Sequence, residues 1–257
     1  MRKTYPDDLT DEEWAIVEPL LNRRKSNRGR KPKHTKRELL NAILYLLRTG
    51  CQWRHLPHDF PPWKTVYTQF LRWSKHGVFE KLNQELVKLA RISKGRKSLA
   101  SGTVIDSQSI KTTEKGGFRG FDGGKKVKGR KRHLLVDTQG LILGVFVTAA
   151  NLDDREGLLG IVQKVKPILK RLQVIWADSG YQGSFLIPGL KCRLEIIKRN
   201  EKGFKVLPRR WVVERTFAWL GKQRRLGKDY EYRTTHSENM ILLGMLKTTL
   251  RVILKNN

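Results

Sequence analysis

Apolar positions in the first third of the chain recur with the period of an α-helix. Thr10 is followed three residues later by Glu13, the capping-box arrangement in which each side chain caps the other's backbone N–H, and Trp14, Val17, Leu20 and Leu21 follow. A short first helix is predicted there. Residues 36–48, KRELLNAILYLLR, place Leu39, Ile43, Leu46 and Leu47 at helical spacing, and Thr49-Gly50 supplies a stop. Beyond the proline-bounded stretch HLPHDFPPW, Pro62 suits a helix start, and Tyr67, Phe70 and Trp73 repeat through WKTVYTQFLRWSKHG. These two helices form a helix-turn-helix-like unit.

The pattern changes after SKGRKSLASG (93–102), a small, basic stretch that marks a boundary. TVIDSQSI (103–110), KRHLLVDT (131–138) and LILGVFVTA (141–149) are β-branched or apolar runs, the last two joined by Gln139-Gly140 as in a hairpin. Three neighbouring strands are predicted. Residues 154–170 return to helical spacing at Leu158, Leu159, Val162 and Val165, before the strand QVIWAD (173–178). A further strand at LEIIK (194–198) and long helices around 210–226 and 237–254 complete the reading. The expected organisation is an all-α domain over 1–98 and a mixed α/β domain over 99–257.

Charge narrows the partner. Lys and Arg total 53 against 24 Asp and Glu, a formal net charge of +29 over 257 residues. Residues 1–98 hold 22 basic and 10 acidic side chains, which leaves 31 and 14 for the rest, so both parts are expected to meet a polyanion. A ribosomal or nucleoid protein could be this basic, but seven Trp and a long patterned core argue against one. On the second helix of the unit, Lys64, Thr65, Thr68, Gln69 and Arg72 suit DNA groove edges and phosphates, with simple helix packing as the alternative. The basic linker at 23–33, RRKSNRGRKPK, has nothing to bury; it is either a solvated charge run or a minor-groove hook built on Arg28 and Arg30. The loop from Lys111 to His133 carries nine Lys or Arg, among them Lys125, Lys126, Lys128, Arg130, Lys131 and Arg132, and its place after the first strand favours clamping of a DNA backbone over a solvated hairpin.

Cys51 and Cys192 form no CxxC pair and are expected to be reduced thiols. The first residues lack an apolar signal core, and no stretch reaches the roughly 18 to 20 apolar residues that span a bilayer. A cytoplasmic protein without a membrane partner, nucleoid-associated when bound to DNA, is the expectation.

The chemistry rests on carboxylates. Asp106 and Asp178 each end an apolar strand and precede a serine, and strand ends in α/β sheets are where side chains project from a rigid edge into a crevice. Two carboxylates brought together repel unless a cation lies between them, and a hard cation prefers oxygen ligands. Glu214 lies beside the apolar stripe Val213, Phe217 and Leu220 and is the proposed third member; Ala218 and Gly221 keep its own face low. Ser107 and Ser179 lack the surroundings of a recombinase nucleophile and fit turn caps. Asn151 with Asp154 is a rival acidic site, or a helix cap.

DSQSIKT (106–112), GFDGGKKVKGRKRHLLVDTQGL (120–141), WADSGYQG (176–183) and RRWVVERTFAWLGKQRRL (209–226) closely resemble bacterial insertion-sequence transposases, and the likeness extends over nearly the whole chain, with the N-terminal part similar to the helical segment of the insertion sequence five group. The resemblance implies a ribonuclease-H-like, retroviral-integrase-like fold with Asp106, Asp178 and Glu214 as an Asp-Asp-Glu triad, 35 residues lying between the last two. It implies two divalent ions, Mg²⁺ or Mn²⁺, roughly 3.5–4 Å apart, that activate water or a DNA 3′-hydroxyl and stabilise the leaving oxygen. Nicking at inverted-repeat ends and attack on target DNA are then one phosphoryl transfer performed twice, on double-stranded DNA, by a homodimer or larger assembly. Related families carry a Tyr, Arg, Glu, Lys signature. Arg210 fits its arginine, Leu207 stands at the tyrosine position, and Gly221 replaces the lysine, with Lys222 one step later. A non-catalytic DNA-binding repressor derived from a transposase, or a structure-specific DNA nuclease, are the alternatives.

Overall fold

The computed structural model describes residues 2–21, 32–114, 117–182, 190–197 and 210–255. Arg28, Arg30 and most of the basic linker fall outside them, as does Leu207. Helix α1 (Asp11–Leu21) opens on the capping box: Thr10 N–H donates to Glu13 Oε2 (2.9 Å) and Glu13 N–H to Thr10 Oγ1 (3.2 Å). Helix α2 (Lys36–Thr49) starts on the Thr35 hydroxyl and ends where Gly50 takes φ 74°, a left-handed turn that costs glycine little. Helix α3 (Trp63–Lys75) buries Val66, Phe70 and Trp73 and leaves Lys64, Thr65, Thr68 and Arg72 exposed, so the face offered for DNA contact is the one packing does not use. A fourth helix, α4 (Val78–Ser93), was not among the sequence expectations; it buries Phe79, Leu82, Leu86, Val87 and Ala90 along one stripe.

The sheet is built from β1 (Gly102–Lys111), β2 (Gly120–Asp122), β3 (Val127–Asp137), β4 (Ile142–Ala149), β5 (Val174–Ala177) and β6 (Arg193–Ile196). Its order is β2-β3-β1-β5-β6, with β4 pairing the later part of β3. β3 runs antiparallel to β1, β2 and β4, whereas β5 runs parallel to β1 and to β6. Helix α5 (Asp154–Val165) makes the crossover between β4 and β5, and helix α6 (Trp211–Gly221) returns to pack on β1 and β3. This is the expected ribonuclease-H-like arrangement: an antiparallel hairpin and its neighbour extended by parallel strands. Helices α7 (Thr234–Gly244) and α8 (Leu246–Leu254) follow, so the expected long C-terminal helix is broken at Met245 and starts three residues earlier.

One buried core runs from Leu9 to Ile253 and includes side chains from every helix. α8 and α7 pack on α4, Lys247 Nζ forms an ion pair with Glu13, and Arg91 of α4 forms one with the buried Asp137, whose carboxylate also accepts the Gln139 and Leu141 N–H groups of the β3–β4 turn. The change of architecture near residue 98 is therefore not a gap between two cores.

The expected basic loop needs correction in its second half. β3 begins at Val127, and side chains alternate across a strand. Arg130 (0% exposed) and Arg132 (2%) project beneath the segment 226–232: the Arg130 guanidinium donates to the carbonyls of Phe118, Glu231 and Tyr232 and pairs with Asp229 at 3.2 Å, and Arg132 donates to Leu226 O at 2.9 Å. Lys131, on the other face, is also buried, donating to Leu152 O and pairing with Asp154 at 3.2 Å. These three cations have protein partners in the interior and are not DNA contacts. Lys125, Lys126 and Lys128 remain exposed.

Candidate active site

Parallel pairing sets the first two carboxylates side by side. Gly102, Thr103 and Val104 of β1 register with Val174, Ile175 and Trp176 of β5, so the same register two residues on brings Asp106 opposite Asp178. Asp106 Oδ1 accepts its neighbour Ser107 N–H at 2.7 Å, and Asp178 Oδ1 accepts Gly180 N–H at 2.9 Å, which begins the turn after β5. Burial, and then the charge of Asp178, push the Asp106 pKa up to about 6, against the Ser107 N–H bond and the more distant charges of Arg210 and Lys125.

Glu214 stands in the first turn of α6, its side chain half-exposed. Between it and Asp178 lies Arg210, with Nη2 3.5 Å from Asp178 Oδ2 and 3.7 Å from Glu214 Oε1. The helix places Arg210 one turn before Glu214, so one guanidinium can face both acids. Among the described residues no three His, Cys, Asp or Glu side chains lie close enough to hold a metal ion. The chemistry of the donors, three carboxylates, nonetheless suits a hard divalent cation: Asp106 and Asp178 lie side by side, burial and then Asp178 favour the protonated form of Asp106, and Arg210 stands between Asp178 and Glu214 where a cation would otherwise lie.

Asp154 comes closer to this centre than a remote rival would. A Cβ built on Gly180 would lie 3.1 Å from Asp178 Oδ1 and 3.3 Å from Asp154 Oδ2, so glycine lets the two acids approach. Asp153 caps α5 through Arg155 N–H, which frees Asp154 to face Lys131 and His133 (Nδ1 3.9 Å). Burial lowers the His133 pKa to about 4, so the ring is neutral. Tyr181, 1% exposed in the turn after β5, was not among the sequence expectations. Burial first, then the charges of Asp154, Asp106 and Asp178, raise its phenol well above the usual range, with Ser107 opposing. Asn151 sits apart from these acids, its Oδ1 against Gly120 so closely that a Cβ there would be 1.8 Å away.

The basic residues divide by position. Lys125, on the turn between β2 and β3, reaches back so that its Nζ donates to Ser107 O at 3.2 Å, next to Asp106. Lys222 lies at the far end of α6, roughly 12 Å along the helix from Glu214 at 1.5 Å per residue. There it lines a cleft of about 510 Å³ with Arg48, Lys94, Lys247, Arg251 and Lys255, and its carbonyl accepts Arg48 Nη1 at 2.7 Å. Both cysteines are free thiols, and among the described residues no helix is long and apolar enough to cross a membrane.

Comparison with known proteins gives the family. The profile described as "Transposase DDE domain" matches residues 97–247, and the one described as "Putative transposase of IS4/5 family" matches residues 9–83. The chain is 35% identical over 127 residues to the "Putative transposase for insertion sequence element IS402" of Burkholderia cepacia, a match covering 45% of this chain and 60% of that relative. It is 33% identical over 114 residues to the "Insertion element IS402 uncharacterized 16.2 kDa protein" of the same organism, covering 42% of this chain and 76% of the relative. No solved structure matches. With more than half of its length under the transposase-domain profile and its N-terminal part under the second transposase profile, the chain belongs to the insertion-sequence transposases of the DDE class.

Proposed function

We propose that the protein binds the inverted-repeat ends of its insertion sequence and carries out metal-dependent strand cleavage and strand transfer with Asp106, Asp178 and Glu214. The observation that carries this reading is the meeting of Asp106 and Asp178 on adjacent parallel strands, with Arg210 joining Asp178 to Glu214. Mg²⁺ or Mn²⁺ ions held by the three carboxylates would supply Lewis-acid stabilisation of the attacking and leaving oxygens of a phosphodiester. No side chain need form a covalent bond to DNA.

Each neighbouring group then has a task. Arg210 is placed to exchange its carboxylate contacts for a phosphate oxygen, as guanidinium forks suit phosphate. Lys125 offsets phosphate charge beside Asp106, and Lys126 and Lys128 continue the positive track along the same hairpin. Exposed Lys64 and Arg72 on α3 suit contact with the duplex flanking the cleavage point. Two ends must be joined to one target, which calls for at least two copies of the chain.

The test is cleavage of DNA carrying the gene's own flanks, with Mg²⁺ or Mn²⁺, by the protein and its Glu214→Gln form. Cutting at the ends by the unmodified protein alone, with binding retained by both, is expected. Binding by both without cutting in either metal would support instead a DNA-binding protein without catalysis.

A further inference from the structure

Aromatic side chains are ordinarily the first to be buried, yet three stand exposed together with basic residues: Phe118 (73% exposed), Tyr232 (72%) and Phe121 (57%). Their backbone is not loose. The buried Arg130 guanidinium holds the Phe118 and Tyr232 carbonyls at 3.0 and 2.7 Å, and Asp229 neutralises it from within. Gly117 lets the two segments touch, since a Cβ there would lie 2.5 Å from Tyr232 O. A fully buried cation is thus spent on fixing two neighbouring residues whose rings face solvent.

Strand register relates this patch to the carboxylates. Phe121 pairs with Lys128, and Asp106 pairs with Leu134; both partners stand at even positions of β3, so Phe121, Lys128 and Asp106 share one face of the sheet. Six residues of β3 separate the two pairs, about 20 Å at a strand's rise, and between them Arg130 and Arg132 of the same face are covered by the segment 226–232, so the exposed route from Asp106 to the rings runs over that segment. Lys125 and Lys128 lie along that path, and Arg119 and Arg233 flank the rings; Glu114 and Asp122 are the acids of the same loop, the latter engaged by Ser109 and Lys125 N–H.

Resting on the proposed DNA chemistry, we infer that Phe118, Phe121 and Tyr232 form a stacking platform for unpaired bases of a DNA strand whose backbone leaves the carboxylates over the segment 226–232. Flat rings flanked by exposed cations match single-stranded nucleic acid, which offers a π-face at each base and a charge at each phosphate. An apolar protein surface would gain from the rings but not from the cations. At the duplex rise of about 3.4 Å per nucleotide, about 20 Å is at most about six nucleotides from the reacting phosphate, and fewer for an extended unpaired strand.

The test uses the full chain and two fluorescent probes: a blunt duplex, and the same duplex with a single-stranded extension of about six nucleotides. Phe118→Ala, Phe121→Ala and Tyr232→Ala should each weaken binding of the extended probe about five-fold or more, with the blunt duplex nearly unaffected and Phe121→Trp retaining the preference. Equal weakening on both probes, or none on either, overturns the platform. Loss of self-association by light scattering without change in DNA affinity would also overturn it and mark the patch as a contact between copies. Metal-dependent cutting by the unmodified protein, run in parallel, separates the two ideas: if cutting holds while the probe preference ignores the rings, only the platform fails, and if the unmodified protein binds neither probe, both fail.

Discussion

Arg130 and Lys128 stand two positions apart on the same face of β3 and have opposite surroundings. Arg130 has its guanidinium satisfied by three carbonyls and Asp229, so Arg130→Ala should leave a buried carboxylate and orphaned carbonyls and cost about 3–5 kcal/mol in urea unfolding. Lys128→Ala should leave the unfolding midpoint nearly unchanged and reduce the salt dependence of DNA binding by about one phosphate's worth of slope. If the two variants behaved alike in both assays, the assignment of one to the interior and the other to DNA would be wrong. Asp106 makes a different prediction. Its folded pKa, about 6, lies above the ordinary 3.8, so its contribution to stability is complete below about pH 4 and lost as pH rises through 6. In metal-free buffer Asp106→Asn should therefore match the unmodified protein near pH 4 and be more stable at pH 8, by up to about 3 kcal/mol; the Asn oxygen can still accept the Ser107 N–H. Equal stability at both pH values would show that neither burial nor the charge of Asp178 disfavours this carboxylate.

At the scale of elements, close approach of α5 to the sheet brings Asp154 towards the centre. A Cβ on Gly157 would lie 2.2 Å from the His133 ring, and one on Gly160 would lie 2.4 Å from Phe146, so both glycines are needed for steric reasons and not for a special φ. Gly157→Ala should push α5 outwards, lower stability by about 1–3 kcal/mol and reduce cleavage more than DNA binding, because the helix carries Asp154 and not Lys125, Lys126 or Lys128. Unchanged thermal stability would mean that the sheet face yields without cost. The helical spacing of α2, α3 and α5, the capping box of α1 and the Gln139-Gly140 turn are all visible in order along the chain, since each is decided within a few residues. Helix α4 has as clear a stripe, Phe79, Leu82, Leu86 and Ala90, and was readable on the same grounds. Strand β2 was not: three residues of Gly-Phe-Asp pair only because β3 is already there.

Across the whole molecule, helices from the two ends of the chain share one core. α4 packs on α7 and α8, Glu13 pairs with Lys247, and Arg225 donates to Glu231 and to Cys51 O. Neither residues 1–98 nor 99–257 should therefore fold alone to a cooperative structure, whereas the full chain should unfold in a single transition; circular dichroism melting of the three proteins checks this. A sharp independent melt of either piece would show that the shared contacts are dispensable.

What the sequence by itself determined is what depends on neighbours along the chain: helix and strand periods, caps and turns, the basic balance, and the placing of Asp178 at a strand end; Asp106, expected at one too, lies in the middle of β1, because its pairing with β3 carries the strand on to Lys111. Only the tertiary structure decided which charges face DNA. A run of basic residues reads the same whether it is a loop or a strand, and the pairing of β3 with β1 and the covering segment 226–232 turned Arg130 and Arg132 inward, while α5 enclosed Lys131. The same holds for Asp154, Tyr181 and the exposed rings of Phe118 and Tyr232. Their neighbours lie tens of residues away, and burial and charge are properties of those neighbours, which strand register and helix docking bring together in space.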